Sequence, residues 1–166
     1  MPLPSKYPGY SSNKLKILTP TVTGDTAAYA TGDNVGGLLT MQDVTLSEAG
    51  SGVIRFVQIM SKSLQTATFD VIFFNASPAA STFTNNAAQD IADADLPYVI
   101  GVMQCATVVA LSGASIHQSG SVNGNGIPFR LASGRVLYAA IVVRGTPTLG
   151  STSDLSISIK ILQDAP

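Results

Sequence analysis

Short apolar segments, each ended by turn-forming residues, run through the chain and constrain its fold more than any other feature. In the last segment, residues 154–162, aliphatic side chains occupy every second position: Leu155, Ile157, Ile159 and Ile161. This period of two predicts a strand with one buried and one wet face. About eight such segments predict an all-β fold, an antiparallel β-sandwich that is jelly-roll-like. The predicted strands cover residues 14–18, 38–46, 53–60, 68–74, 98–111, 126–132, 135–144 and 154–162.

Three segments carry more specific expectations. Residues 135–144 are apolar at nearly every position, which predicts a central strand or one whose second face is covered by another subunit. Residues 98–111 are long enough for one bent strand, or for two strands joined near Gly101. Residues 85–97 carry caps and alanines, but Pro97 limits any helix there to about two turns.

The first thirteen residues differ from the rest because they are rich in proline. Proline fixes φ and removes a backbone donor, so residues 1–13 are predicted to form an extended N-terminal arm outside the sheets. Residues 14–166 then form a single sandwich domain. Two interpretations of the arm stay open: a terminus without fixed contacts, or a segment that docks on a neighbour. In the second case the expected partner-binding residues are Tyr7, Pro8, Tyr10 and Lys14.

Charged residues make up only 11% of the chain, against about 25% in a typical soluble domain. So few charges give little protection against association, which indicates that partners or further copies cover much of the surface. The charges are scattered and sum to −1, so we expect no nucleic-acid binding. The longest apolar run falls short of the roughly 20 residues of a membrane helix, and prolines near the start argue against a secretory signal.

The residues that carry most enzyme chemistry are scarce. His117 is the only histidine and Cys105 the only cysteine, which are too few for a typical zinc site. The chain contains the residue types of a Ser-His-acid triad, but no segment resembles a nucleophile elbow. We therefore expect no enzyme, no catalytic residues and no cofactor. His117 is predicted in a loop, solvated or hydrogen-bonded, and Cys105 is predicted to be a small buried thiol.

Calcium is the one metal for which the sequence offers oxygen ligands in loops. Calcium takes six to eight oxygens, and loops at the end of a sandwich can supply them. The spacing matches no EF-hand, and the alternative assigns these carboxylates to hydrogen bonds in turns and at a helix start. No metal site is predicted, although calcium binding stays open for Asp25, Asp33, Asp90, Asp93 and Asp95.

Several segments, taken in order, resemble small virion proteins of tailed bacteriophages. They are AAYATGDNVGG (27–37), GSGVIRFV (50–57), FDVIFFN (69–75), IADADLPYVIGV (91–102), PFR (128–130), LY (137–138) and SDLSISIKIL (153–162). The resemblance covers most of the chain from about Tyr29 onward. It implies a head decoration (cement) protein with a jelly-roll-like sandwich, arranged as homotrimers on the outer surface of the phage head. The implied partners are the major capsid protein and copies of the chain itself, without nucleic acid or membrane.

Two alternatives remain beside the cement protein. One keeps the virion but places the chain in a neck, tail or fibre. The other is a carbohydrate- or receptor-binding sandwich, which requires a surface cluster of aromatic side chains such as Tyr10, Tyr29 and Phe83. The cement protein that the resemblance implies would stabilise the assembled lattice by mass action, because it binds the lattice and not the dissociated subunits. A trimer that bridges several capsid subunits adds multivalency.

Overall fold

The computed structural model describes residues 14–120 and 126–164 and shows ten strands and one short 3-10 helix in them. The arm, residues 1–13, lies outside the described residues. No helix in the described part is long and apolar enough to cross a membrane. The elements are β1 (Lys14–Leu18), β2 (Asn34–Met41), β3 (Ser51–Ser61), β4 (Thr68–Phe74), the 3-10 helix (Asp93–Tyr98), β5 (Val99–Cys105), β6 (Thr107–Ala110), β7 (Ser115–Gln118), β8 (Ile127–Arg130), β9 (Leu137–Arg144) and β10 (Leu155–Gln163).

The strands form two antiparallel sheets that pack face to face. The six-stranded sheet has the order β1-β10-β3-β7-β6, with β8 also paired to β3, and the four-stranded sheet has the order β2-β9-β4-β5. Buried side chains from both sheets form one continuous core. The structure therefore confirms the predicted antiparallel β-sandwich.

The pairing of the strands is nested, and this nesting is the signature of a jelly roll. The first strand pairs with the last (β1 with β10), the second with the last but one (β2 with β9), and β4 pairs with β5 at the centre. Between these pairs, β7 and β8 both pair with β3. They lie on the edge of β3 away from β10, so together they fill one strand position. Strand β6 follows β5 directly after Ala106 and is counted together with it. The ten strands then occupy eight positions, which is the number of strands in a jelly roll.

The core follows from the alternation in the sequence. Leu155, Ile157, Ile159 and Ile161 are all buried, which confirms the period-two prediction for β10. Cys105 is also fully buried at the end of β5, as predicted for an apolar environment.

Strand β9 is central, as its apolar sequence predicted, because it lies between β2 and β4. Its inner side chains enter the main core. Its outer face is covered by residues 75–98 of the same chain, so no second subunit is needed to bury it. The outer cluster consists of buried Ile72, Phe74, Ala140 and Val142, with Phe83, Ile91, Val99 and Tyr138 packed against them.

Three local predictions were wrong, each for a physical reason. Strand β2 begins at Asn34 and not at residue 38, because Gly36 and Gly37, both at positive φ, form an irregularity within the strand and do not precede it. The break in residues 98–111 falls at Ala106, where the chain passes from one sheet to the other, and not near Gly101. Residues 85–97 form turns and isolated bridges before the 3-10 helix, which includes Pro97.

Candidate functional site

The outer face of the six-stranded sheet carries a line of apolar side chains across four strands. Leu15 of β1 pairs with Leu162 of β10, Leu162 pairs with Val53 of β3, and Val53 pairs with Pro128 of β8. Paired residues in an antiparallel sheet project from the same face. Because Ile161 and its alternating neighbours point into the core, these four side chains point outward. We call Leu15, Leu162, Val53 and Pro128 the apolar row.

The apolar row is accessible at both ends. Leu15 is 61% exposed and Pro128 is exposed, whereas Leu162 and Val53 are partly buried. The next line on the same face begins with Ile17, which is 56% exposed. It continues through Lys160 and Phe56, where the Lys160 Nζ lies 4.9 Å from the centre of the Phe56 ring. The second line thus carries the charged Lys160 between two apolar side chains, and the continuous apolar surface is the apolar row alone.

A polar line separates this surface from a second, smaller apolar area. The polar line joins Ser158, Gln58, Gln118 and Thr107. Beyond it, Met60 and Val109 are 36% and 43% exposed, with Ile116 between them. Along the strand direction, this face is thus apolar at the apolar row, polar in the middle, and apolar again where β3, β7 and β6 lie side by side.

The four-stranded sheet differs, because the chain itself covers most of its outer face, although Val102 of β5 is 40% exposed there. The covering segment is held by Asp95, whose Oδ2 accepts hydrogen bonds from the Ala80 N–H (2.9 Å) and the Ser81 hydroxyl (2.6 Å). It is also held by the Tyr29 hydroxyl, which donates to Asn85 Oδ1 (2.9 Å). Among the described residues, the larger apolar surface exposed on a sheet face is therefore that of the six-stranded sheet.

The structure describes one of the four predicted partner-binding residues. Lys14 is exposed and is the first residue of β1, next to Leu15 of the apolar row. Tyr7, Pro8 and Tyr10 lie outside the described residues. Sequence reasoning missed the apolar row itself. One signal was present: Leu162 falls among the polar positions of β10, where a strand with one wet face has no need of leucine.

The alternative of an aromatic carbohydrate platform loses one of its three residues, and a second is partly buried. Tyr29 is 2% exposed and belongs to the main core, so it presents no surface for a sugar ring. Phe83 packs edge-to-face on Phe74, with ring centroids 5.7 Å apart. Tyr10 lies outside the described residues. Tyr29 therefore offers none of the surface aromatic cluster that this alternative requires.

Two of the calcium candidates hold turns. Asp25 accepts a hydrogen bond from the Ala27 N–H (2.9 Å) and lies 3.4 Å from the Asn86 amide nitrogen. These hydrogen bonds, above all that from Ala27, lower the pKa of Asp25. Asp33 is buried and accepts from the Ala30 N–H (2.7 Å). Both carboxylates thus satisfy backbone donors of their own loop.

The other three candidates lie in the segment that covers the four-stranded sheet. Asp95 is buried in the contacts described above, whereas Asp90 and Asp93 are exposed. Asp93 and Asp95 both lie in the first turn of the 3-10 helix, but Asp95 accepts its hydrogen bonds from Ala80 and Ser81 and not from the start of the helix. Within residues 14–120 and 126–164, no three or more His, Cys, Asp or Glu side chains are grouped so that they could hold a metal ion.

His117 is buried in a strand, which corrects its predicted place in a solvated loop. Its Nε2 lies 2.9 Å from the Ser115 hydroxyl, and its ring meets Phe69 edge-on at 4.9 Å. Burial lowers the pKa of His117. Its Nδ1 has no hydrogen-bond partner, although a catalytic triad would place a carboxylate there. Since Ser115 and His117 are 1% and 0% exposed, the pair contributes to packing inside the sandwich.

A groove of about 420 Å³ lies at one end of the sandwich, lined by residues 64–67 and 144–148. Its polar side chains already bind protein groups. Arg144 Nε donates to Asp70 Oδ2 (2.8 Å), and Gln65 Nε2 donates to the Thr148 carbonyl (2.8 Å). The groove is therefore the contact between two loops, and its main polar side chains already form hydrogen bonds within the protein.

No family model and no curated protein matches the chain. Among solved structures, it is similar to a chain of the infectious bursal disease virus Gx strain, with 12% identity over 99% of this chain and 37% of that one, and a TM-score of 0.32. A chain of the T13 particle of the same virus gives 13% identity, 91% and 32% coverage, and a TM-score of 0.30. A family two carbohydrate esterase from Cellvibrio japonicus gives 13%, 92% and 36%, and 0.21. The chain spans about a third of each, and at these TM-scores none of the matches bears on function.

Proposed function

We propose that this protein is a structural component of a virion, namely a decoration (cement) protein that binds the assembled head of a tailed bacteriophage. The observation that carries the proposal is the contrast between the two sheets of the jelly roll. One outer face is mostly covered by the chain itself, and the other presents the apolar row, with Leu15 61% exposed. A rigid sandwich with one open apolar face is suited to contact with other subunits.

The chemistry of the described residues supports a role in binding and not in catalysis. The only histidine is buried against Phe69 and Ser115, and the only cysteine is buried in the core. We propose that the major capsid protein and further copies of this chain are its partners, on the outer surface of the head. The low proportion of charged residues, 11%, is consistent with a protein whose surface is covered by other subunits in an assembly.

Such a protein stabilises a shell by binding the assembled lattice and not the dissociated subunits. At a free concentration one hundred times Kd, each occupied site contributes about 2.7 kcal/mol to the assembled state. A trimer that bridges several capsid subunits multiplies this effect, because its second and third contacts are intramolecular. Modest contacts through one sheet face and a few loops are then sufficient.

The test is the copy number of the chain in purified particles of the virus that encodes it, measured by quantitative mass spectrometry against the major capsid protein. A ratio near one, or hundreds of copies per particle, would support a lattice-wide cement. A dozen copies or fewer would refute it and favour a neck, tail or fibre component. Absence from the particles would refute a virion role altogether.

A second measurement tests the mechanism. Heads that lack the chain are heated with and without added purified protein, and the release of DNA is followed with an intercalating dye. We expect the added protein to raise the temperature of DNA release, because it binds only the intact lattice. Release at an unchanged temperature, with the protein in excess, would contradict stabilisation of the lattice.

A further inference from the structure

We propose that two copies of this chain associate through opposite faces of the sandwich. The outer face of the six-stranded sheet on one copy, here called the basic face, meets the covering segment of the next copy. That segment, residues 75–98, and the exposed Val102 of β5 beside it are here called the acidic face. The inference goes beyond the proposed function, because it names the surfaces through which copies meet and applies to the purified chain. Two observations carry it: the faces are opposite in charge, and both expose apolar side chains.

The basic face takes its charge from the strands of the six-stranded sheet. All six strands lie in the described part of the chain, and they contain no acidic residue and five cationic ones: Lys14, Lys16, Arg55, Arg130 and Lys160. Lys160 and Arg130 point outward, because the residues on either side of each are buried. Asp164, which follows β10, accepts a hydrogen bond from the Ser51 hydroxyl (2.6 Å) beside this face. Together these described groups leave the face with a positive charge.

The acidic face carries the opposite charge. Residues 75–98 contain no lysine, arginine or histidine and three aspartates: Asp90, Asp93 and Asp95. Asp90 and Asp93 are exposed, whereas Asp95 is buried in its hydrogen bonds to Ala80 and Ser81. Arg144 of the same sheet is paired with Asp70 at 2.8 Å, so these two groups together add no net charge. The exposed charge of this face is therefore negative.

Both faces also expose apolar side chains that association would bury. On the basic face these belong to the apolar row, where Leu15 is 61% exposed. On the acidic face, Leu96 and Tyr98 of the 3-10 helix are 52% and 37% exposed, and Val102 is 40% exposed. Interfaces between proteins combine such apolar contacts with charged groups around them. The two faces thus match in apolar character and are complementary in charge.

The architecture of the sandwich requires a second copy for this contact. The two faces are the outer surfaces of sheets that pack on each other, so they point in opposite directions and cannot meet within one chain. A contact between two basic faces would bring Lys160 and Arg130 near the same cations of the second copy, and like charges across an interface are unfavourable. Among contacts between outer faces of two copies, the charges therefore favour basic face on acidic face.

The basic face is large enough for such a contact. It is five strand positions wide, about 19 Å at about 4.8 Å per spacing, and the nine residues of β10 extend about 30 Å along it. Its flat area is about 600 Å², to which the protruding side chains add, and a stable interface buries about 800 Å² on each partner. Since each copy carries both faces, the contact is head-to-tail and forms a ring when the rotation between copies closes.

The experiment uses two charge reversals in the full-length chain, Asp90→Lys on the acidic face and Lys160→Glu on the basic face. Each variant alone places like charges across the contact. In an equimolar mixture, the unchanged basic face of Asp90→Lys meets the unchanged acidic face of Lys160→Glu. Light scattering over a range of concentrations gives the dissociation constants. We expect each variant alone to raise the constant at least about tenfold, and the mixture to return it to within about threefold of the original chain.

Matched controls separate this contact from a general effect of charge. Glu48→Lys and Lys62→Glu make the same changes of charge at exposed loop positions outside both faces, so they should leave the dissociation constant within about threefold. Circular dichroism will verify that all variants are folded. For the apolar part, Leu96→Ser is compared with Leu64→Ser, because both leucines are 52% exposed and Leu64 lies outside both faces. Burial of the exposed half of Leu96 corresponds to about a fivefold effect, and none is expected at Leu64.

Several outcomes would overturn the proposal. A full-length chain that is still monomeric at about 100 μM would leave the two faces to another protein, such as the major capsid protein. Variants that associate as the original chain does, or a mixture that fails to restore association, would show that the copies meet elsewhere. An effect at Leu64 as large as that at Leu96 would do the same. Because purified chain is used, these outcomes leave the copy-number test of the proposed function unaffected.

Discussion

Replacing Asp154 by asparagine should destabilise the sandwich strongly, because this carboxylate joins two loops at one end of it. Asp154 is 1% exposed and precedes β10. Its Oδ1 accepts hydrogen bonds from the Ser61 hydroxyl and the Ser63 N–H, both at 3.0 Å. Its Oδ2 accepts from the Ser63 hydroxyl and from the Gly150 N–H (2.8 Å). Four donors thus converge on one side chain.

Asparagine has one oxygen where aspartate has two, so its amide nitrogen would face two of these donors. The Ser63 hydroxyl can rotate away, but the Gly150 N–H cannot. A hydrogen bond to a charged group contributes about 1.5–3 kcal/mol, and an unsatisfied buried donor costs about 1–3 kcal/mol. We expect Asp154→Asn to lower the free energy of unfolding at pH 7 by about 3 kcal/mol. With m of about 2 kcal/mol/M, the urea midpoint falls by about 1.5 M.

The effect should depend on pH in a defined direction. Burial by itself raises the pKa of Asp154, but the hydrogen bonds from Ser63, Gly150 and Ser61 together lower it below the ordinary aspartate value. The folded state therefore binds this proton less readily than the unfolded state. The stability from Asp154 is present above the unfolded pKa of about 3.9, and it is lost as the pH falls through the lower folded pKa.

The assay is urea unfolding followed by circular dichroism from pH 7 to pH 3, for the original chain, Asp154→Asn and the control Asp93→Asn. Asp93 is exposed, so its replacement should change stability by less than about 0.5 kcal/mol. The difference between the original chain and Asp154→Asn should shrink towards pH 3. A difference below about 1 kcal/mol at pH 7, or one that stays constant with pH, would show that Asp154 does not hold these two loops together.

Three further outcomes follow from other positions in the sandwich. Gly126→Ala should destabilise the chain by more than about 2 kcal/mol in thermal unfolding, because its φ is +78° and the new Cβ would lie 2.3 Å from the Ile54 carbonyl oxygen. The control is Gly134→Ala, at φ +58° with nothing within 4 Å of the new Cβ, which should cost about 1 kcal/mol. Cys105 should resist iodoacetamide at pH 8 in the folded chain and react in urea, because burial and the nearby Asp70 raise its pKa to about 12; rapid alkylation without urea would contradict this. His117→Leu should flatten the stability profile between pH 7 and pH 5, because burial holds the histidine neutral in the folded state while the unfolded histidine gains a proton below about pH 6.5; an unchanged slope would count against burial.

The sequence predicted those strands whose periodicity is local and complete. Strands β1 and β4 have the predicted bounds, and β10 has the predicted buried face. Strand β7 was missed because its four residues, Ser115–Gln118, include three polar ones. Ser115 and His117 are buried there because they hydrogen-bond to each other within the sandwich, which no local pattern in the sequence indicates.

The apolar row could not be predicted because it depends on the register of strands that are distant in sequence. Leu15 and Leu162 come from opposite ends of the described chain and meet only because β1 pairs with β10. Val53 and Pro128 join them through two further pairings. Each residue alone resembles an ordinary apolar position of a strand. A single leucine on the polar face of β10 was the one local indication.

The nested strand pairing also determines when this chain can finish folding. Its outermost pair, β1 with β10, joins residues 14–18 to the last strand, so it cannot form until that strand has left the ribosome. Sandwiches built from such distant pairings fold in milliseconds to seconds, which is slow for a domain of this size. Until β1 docks, the alternating aliphatic strand β10 keeps one edge unpaired. In that interval a second nascent chain competes with β1 for the edge, so the yield of native protein should fall as the rate of synthesis rises.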